Sequence, residues 1–152
     1  MGTQALTNSV EEPHALSVAR RELVLGGQKS GKSRRAEQLA AAWLAQDARH
    51  GALLLATAQA HDAEMRLRIQ RHRAARAARL PALSCDEEPL ALGEAIGAHS
   101  TGHTLLIVDC LTLWLTNRLM PAGTPAPGPG PGAAVDELLA ALRAAAGPVG
   151  VV

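Results

Sequence analysis

An α/β domain with a mainly parallel sheet flanked by helices is the fold this sequence predicts, and three features predict it. Short apolar runs alternate with segments of helical period, the order produced by strands joined through crossover helices. The runs are continuously apolar rather than alternating, as strands buried on both faces are. A glycine-rich turn follows the first run and opens the first helical segment, which is where such domains bind phosphate.

The elements read in order as follows. Residues 1–20, MGTQALTNSVEEPHALSVAR, lack the basic start and apolar stretch of a signal peptide and read as a flexible extension before a domain at 21–152. Residues 23–25 are the first apolar run and stop at Gly26-Gly27. Ala36, Leu39, Ala40 and Trp43 then recur at i, i+3, i+4 and i+7, one apolar face of a helix beginning near Ser33. Residues 53–56 are the second run, and 62 to about 78 a second helix, with Met65, Ile69 and His72 on one side. Residues 105–108 form the third run, ending at Asp109. Residues 121–132, PAGTPAPGPGPG, are too rich in Pro and Gly for regular structure and read as a disordered surface loop. Leu138, Leu139 and Leu142 mark a later helix, and residues 149–152 begin a fourth strand. With no helix after that strand, the sheet reads as missing its last elements.

Composition narrows the function. The chain has 152 residues, a formal net charge of +1 and 47% hydrophobic residues, values that suit one domain with a core and supply no basic field for nucleic acid. Phe and Tyr are absent, which disfavours base-stacking surfaces. Cys85 and Cys110 lack the partners of a zinc site or a disulfide framework. No apolar run reaches the roughly 18 residues of a membrane span, since even 105–115 is interrupted by Asp109. The expected compartment is the cytoplasm.

Gly26-Gly27-Gln28-Lys29-Ser30-Gly31-Lys32-Ser33 fits G-x-x-x-x-G-K-[ST] between a predicted strand and a predicted helix, the context that this phosphate-binding loop needs. Its glycines let backbone N–H groups turn toward phosphate oxygens, Lys32 reaches the outer phosphates, and the Ser33 hydroxyl ligates Mg²⁺. Asp109, at the end of a predicted strand, stands where a P-loop protein keeps the carboxylate that holds Mg²⁺. An alternative is that Asp109 caps a helix starting at Cys110.

A second cluster lies in the helix at 62–78. Six arginines occur between positions 66 and 79. On composition alone they form a solvated face, but beside a nucleotide their planar donor forks suit phosphate oxygens. His72 shares a side with Met65 and Ile69. It reads either as a partly buried histidine or as a nucleophile, because an imidazole largely neutral at physiological pH can attack an activated phosphorus.

The stretches LVLGGQKSGKSRRAE, LLLATAQAHDAEMRLRIQRHR and LLIVDCLTLWLTN together resemble the bifunctional adenosylcobinamide kinase and adenosylcobinamide-phosphate guanylyltransferase family of cobalamin biosynthesis, over about 22–152. The resemblance implies a P-loop NTPase-like domain that phosphorylates adenosylcobinamide with ATP or GTP. It then transfers GMP from GTP through a GMP-histidine intermediate, whose histidine falls on His72. It also implies nucleotide contacts at Gly26 to Ser33, at Ala56, Thr57 and Ala58, at Arg73, Ala74, Ala75 and Arg76, and at Asp109, with Ser33 and Asp109 at the metal. A corrinoid substrate and a homo-oligomer, a trimer, are implied as well. Where the family usually carries Arg-Pro and then Trp-Thr before a Glu, this chain reads ARAARLPALSCDEEP, so that Glu corresponds to Asp86, Glu87 or Glu88. The competing reading is another P-loop small-molecule kinase or nucleotide switch without a covalent intermediate.

Overall fold

The structure is a computed structural model that describes residues 16–121 and 128–152. Its elements are β1 (Arg21–Leu23), α1 (Lys32–Leu44), β2 (Gly51–Ala56), α2 (Ala63–Arg79), β3 (Leu83–Glu87), α3 (Leu92–His99), β4 (Thr104–Asp109), α4 (Leu111–Leu119), α5 (Pro131–Ala144) and β5 (Val149–Val151). Among the described residues the strands form one sheet in the order β1-β5-β4-β2-β3. Every pairing is parallel, as the continuous apolar runs predict. The final strand is therefore internal, between β1 and β4, and all three of its residues are buried.

Alternation along the central strands sends successive side chains to opposite faces of the sheet. Leu54, Leu105 and Ile107 pack with Leu39 and Ala40 of α1 on one face. Leu55, Leu106 and Val108 pack on the other with Ile96 of α3, Trp114 of α4 and Leu138 of α5. These central positions are at most 4% exposed, and truncating any one of the leucines to alanine costs about 2–5 kcal/mol.

Several boundaries differ from the sequence reading. β1 lies at 21–23 rather than 23–25 because its ladder pairs Arg21 with Val149 and Leu23 with Val151, while Leu25 is exposed. Residues 1–15 fall outside the described residues, but 16–20, read as part of a flexible extension, lie against the sheet. Leu16 and Val18 pack on the α1-side cluster, and the Arg20 carbonyl accepts from the Val149 amide at 3.0 Å. Of the loop expected at 121–132, residues 122–127 lie outside the described residues, whereas Pro131 and Gly132 belong to the first turn of α5. Pro is suited to that position, where its missing N–H would lack an intrahelical partner in any case. The sequence reading does not contain β3 or α3.

The return from α5 to β5 is tight. Arg21 donates to the carbonyls of Leu142, Ala145 and Gly147, at 2.5, 2.6 and 2.8 Å, satisfying acceptors that the end of α5 leaves open. A Cβ on Gly147 would lie 2.3 Å from the carbonyl oxygens of both Thr101 and Thr104. Both obstacles are backbone and cannot swing aside. Gly147→Ala should therefore lower stability by about 3 kcal/mol through forced backbone shifts, read as a drop in the urea midpoint without a change in slope.

Candidate functional site

The turn between β1 and α1 depends on glycine. Gly31 has φ 92°, a left-handed conformation that glycine adopts without a Cβ clash, and a Cβ on Gly26 would lie 2.4 Å from the Ser30 hydroxyl. No side chain caps α1 at Gly31, so the helix start keeps the amide donors that bind anions. Lys32 folds back along the turn, its Nζ donating to the Gly26 and Gly27 carbonyls at 2.8 and 2.7 Å.

Beside this turn lies a cavity of about 320 Å³, at the C-terminal ends of β2, β3 and β4, where parallel α/β sheets bind ligands. Ser33 lines it from α1, and Ala56, Ala58, Glu87 and Asp109 line it from the strand ends. Its other wall is α2, through Met65, Arg68, Ile69, His72, Arg73 and Arg76, with Leu113 of α4 completing it. Register fixes the carboxylates: Ala56 is paired with Glu87 on one side and with Asp109 on the other. All three side chains therefore point to one face.

Helix α2 begins at Asp62, whose carboxylate accepts from the Met65 amide at 2.7 Å, the N-cap arrangement. Three arginines at three-residue spacing then tie it down. Arg73 pairs with Glu87 of β3 at 2.5 Å, and Arg76 with Asp109 of β4 at 3.0 Å. Arg79 pairs with Glu37 of α1 through two bonds of 2.8 and 2.6 Å. Arg76 is buried and also directs Nη1 toward the Cys85 sulfur at 3.9 Å. The hydrogen bond from Arg79 holds the Glu37 carboxyl below its ordinary value, against the opposing effect of burial.

The sequence-derived residues divide by position. His72, Arg73, Arg76, Asp109, Ser33, Ala56 and Ala58 meet in the cavity. Gly26, Gly27, Gln28, Lys29, Ser30, Gly31 and Lys32 form the adjacent turn, outside the cavity lining. Ala74 and Ala75 are exposed on α2, away from the cavity. Thr57 is fully buried, with its hydroxyl on the carbonyls of Asp109 and Cys110, and is not a lining residue. Asp109 does not cap α4, which has no side-chain cap.

Of the three acidic residues at 86–88, Glu87 lines the cavity. Asp86 lies 3.6 Å from the His99 ring, and Glu88 accepts from the Leu90 and Ala91 amides before α3. The pairing of Glu87 with Ala56 would have selected it, had β3 been recognised. Arg68, which the sequence does not single out within the arginine cluster, also lines the cavity, four residues before His72 on the same face of α2.

Ser33 and Asp109 bring a hydroxyl and a carboxylate to one cavity, hard oxygen donors that fit Mg²⁺ held jointly by protein and phosphate. Among the described residues no cluster of three or more His, Cys, Asp or Glu could hold a metal by itself, and no helix is long and apolar enough to cross a membrane.

The family described as cobinamide kinase / cobinamide phosphate guanyltransferase matches residues 22–152. A bifunctional adenosylcobalamin biosynthesis protein of Pseudomonas aeruginosa is 49% identical over 100 residues, covering 66% of this chain and 53% of the relative. Its counterpart in Salmonella typhimurium is 37% identical over 101 residues, covering 66% of this chain and 51% of the relative. The chain thus spans about half the length of the curated relatives it matches.

The Glu37–Arg79 pair makes a testable contribution to stability. Because folding lowers the Glu37 pKa from 4.5, its stabilisation is complete above that value and is lost as the pH falls through the lowered one. Glu37→Gln should be less stable than the parent at pH 7, and urea titrations repeated at decreasing pH should show the gap closing below pH 4.5.

Proposed function

The chain belongs to the cobinamide kinase / cobinamide phosphate guanyltransferase family, and from that premise we propose that it carries the nucleotide site of an enzyme that phosphorylates adenosylcobinamide and then guanylylates the product. One observation carries this reading: the end of the phosphate-binding turn, the acidic strand ends and the His72 helix converge on one cavity. In the first reaction the substrate hydroxyl attacks the γ-phosphorus of ATP or GTP, and the bond to the β-phosphate oxygen breaks. The nucleoside diphosphate leaves. The amides of Gly26 to Ser33 and the Lys32 ammonium hold the phosphates, while Arg73 and Arg76 neutralise charge.

In the second reaction a ring nitrogen of His72 attacks the α-phosphorus of GTP, forming a P–N bond as pyrophosphate leaves. A phosphate oxygen of adenosylcobinamide phosphate then attacks that phosphorus and breaks the P–N bond, giving adenosylcobinamide-GDP and restoring the imidazole. His72 and Arg76 stand four residues apart on α2 and line the same wall, which supports a guanidinium beside the attacked phosphate. Glu87, paired with Arg73 at 2.5 Å, orients that second guanidinium.

Mg²⁺ belongs to this reading, with Ser33 and Asp109 as its protein donors, and supplies charge neutralisation on the phosphates. The family resemblance carries the remaining features: a corrinoid substrate, a trimeric homo-oligomer and a cytoplasmic location. The other reading, a P-loop kinase or switch without a covalent intermediate, shares the turn but gives His72 no role.

Incubation with Mg²⁺ and GTP followed by intact-protein mass spectrometry separates the two readings. The parent chain should gain the mass of one GMP in an acid-labile linkage, and His72→Ala should gain none. Soluble, folded protein that binds GTP but remains unmodified would favour the kinase or switch.

A further inference from the structure

Thr57 stands among the residues that the family resemblance would assign to nucleotide contact, yet its geometry suits a different task. Ala56 and Ala58 line the cavity, so alternation turns the residue between them to the opposite face of the sheet. There Thr57 is 0% exposed. Its amide donates to the Asp109 carbonyl at 3.2 Å. Its single hydroxyl proton is shared between the Asp109 and Cys110 carbonyls, at 3.0 and 2.7 Å.

The chain bends sharply where those bonds fall. Cys110 has φ 90° and ψ 96°, a conformation that L-residues rarely adopt and that persists only where its surroundings enforce it. Asp109 immediately precedes the bend and its carbonyl accepts two of these bonds, so what enforces the bend also fixes the backbone from which its carboxylate projects toward Arg76, 3.0 Å away. Asn117, itself buried, closes the device from α4. Its Nδ2 donates to the Thr57 carbonyl at 2.8 Å and to the Pro89 carbonyl at 3.2 Å. One buried network thus joins the ends of β2 and β4, the segment after β3, and α4.

We propose that Thr57 and Asn117 are positioning residues that hold the strained link after Asp109 and thereby aim its carboxylate at nucleotide-bound Mg²⁺. This rests on the nucleotide reading above, in which Asp109 is a metal donor. A residue serving only to fill space could be replaced by valine, which has the shape of threonine. A residue acting through its hydroxyl could not, because valine leaves the two carbonyls without that donor.

The test is GTP binding by the full chain, titrated calorimetrically with Mg²⁺ and again in EDTA, for the parent, Thr57→Val and Thr57→Ser, with thermal unfolding as the check on folding. Thr57→Val should reduce the gain in GTP affinity that Mg²⁺ confers by about tenfold or more, as expected when a support of a metal ligand is lost. Its affinity in EDTA, which rests on the turn and Lys32, should be unchanged, and Thr57→Ser should restore the gain. The proposal is overturned if folded Thr57→Val keeps the full gain, if both affinities fall together, or if Thr57→Ser behaves like valine. Should Thr57→Val fail to fold, Asn117→Leu, which removes the donor at nearly constant shape and adds no charge, is judged by the same criteria. A parent chain that binds no GTP overturns the nucleotide reading itself and this proposal with it, whereas a parent that binds beside an unaltered valine variant overturns only the positioning role.

Discussion

The constraint on which the site depends is the register of three adjacent parallel strands. Ala56 of β2 pairs with Glu87 of β3 on one side and with Asp109 of β4 on the other, so two carboxylates stand level with one another, separated by the small side chain of an alanine. Strands lie about 4.8 Å apart in the pairing direction, which sets the two acidic positions about 10 Å apart at their backbones. A shift of one residue in either ladder would send one carboxylate to the opposite face and remove it from the cavity. The apolar runs of β2 and β4 oppose such a shift, because Leu54 and Leu55 must each meet their own core cluster. Packing in the middle of the sheet thereby determines electrostatics at its end.

Helix α2 is held by that arrangement more than by packing. Its described side chains are largely exposed, with Arg76 the buried one. Its arginines reach β3, β4 and α1 at successive three-residue steps. The three pairs differ in surroundings: Arg76 and Asp109 are mostly shielded, at 11% and 26% side-chain exposure, whereas Arg73 and Glu87 are about half exposed. Exposed pairs are weak and screened by salt. Arg76–Asp109 is therefore the most shielded tether on the helix that carries His72, and Arg79–Glu37, with Glu37 11% exposed, is the bidentate one.

Much of this was legible in the sequence, and the parts that were not have identifiable causes. β2, β4, α1 and α2 carry strong periodic or continuous apolar signals, and the glycine-rich turn has both its pattern and its context. β3, with the sequence LSCDE and a single buried residue, lies at the edge of the sheet among the described residues and has no apolar run. It is a strand because β2 offers it a ladder, which no local pattern announces. α3 has eight residues including Gly93 and Gly97, two positions of poor helix propensity, and forms by packing on α5. Glu87 is one of three alternatives in the sequence because only the pairing of β3 with β2 distinguishes it from Asp86 and Glu88. Thr57 is a different case, since alternation alone separates it from Ala56 and Ala58 and assigns it to the face opposite the cavity.

The two faces of the sheet perform different work. On the α1 and α2 face, Glu37, Glu87 and Asp109 each pair with an arginine, and the cavity is lined by Glu87 and Asp109. On the other face, α3, α4 and α5 enclose the leucines, isoleucine and tryptophan of the larger core cluster. A strained backbone link at Cys110 would be hard to maintain on the open face, where solvent could replace any bond that held it. It is held instead from the packed face, where the Asn117 amide and the Thr57 hydroxyl are both buried and an unmade hydrogen bond is costly. The packed side of the molecule thus imposes an unfavourable conformation next to the strand end that lines the cavity.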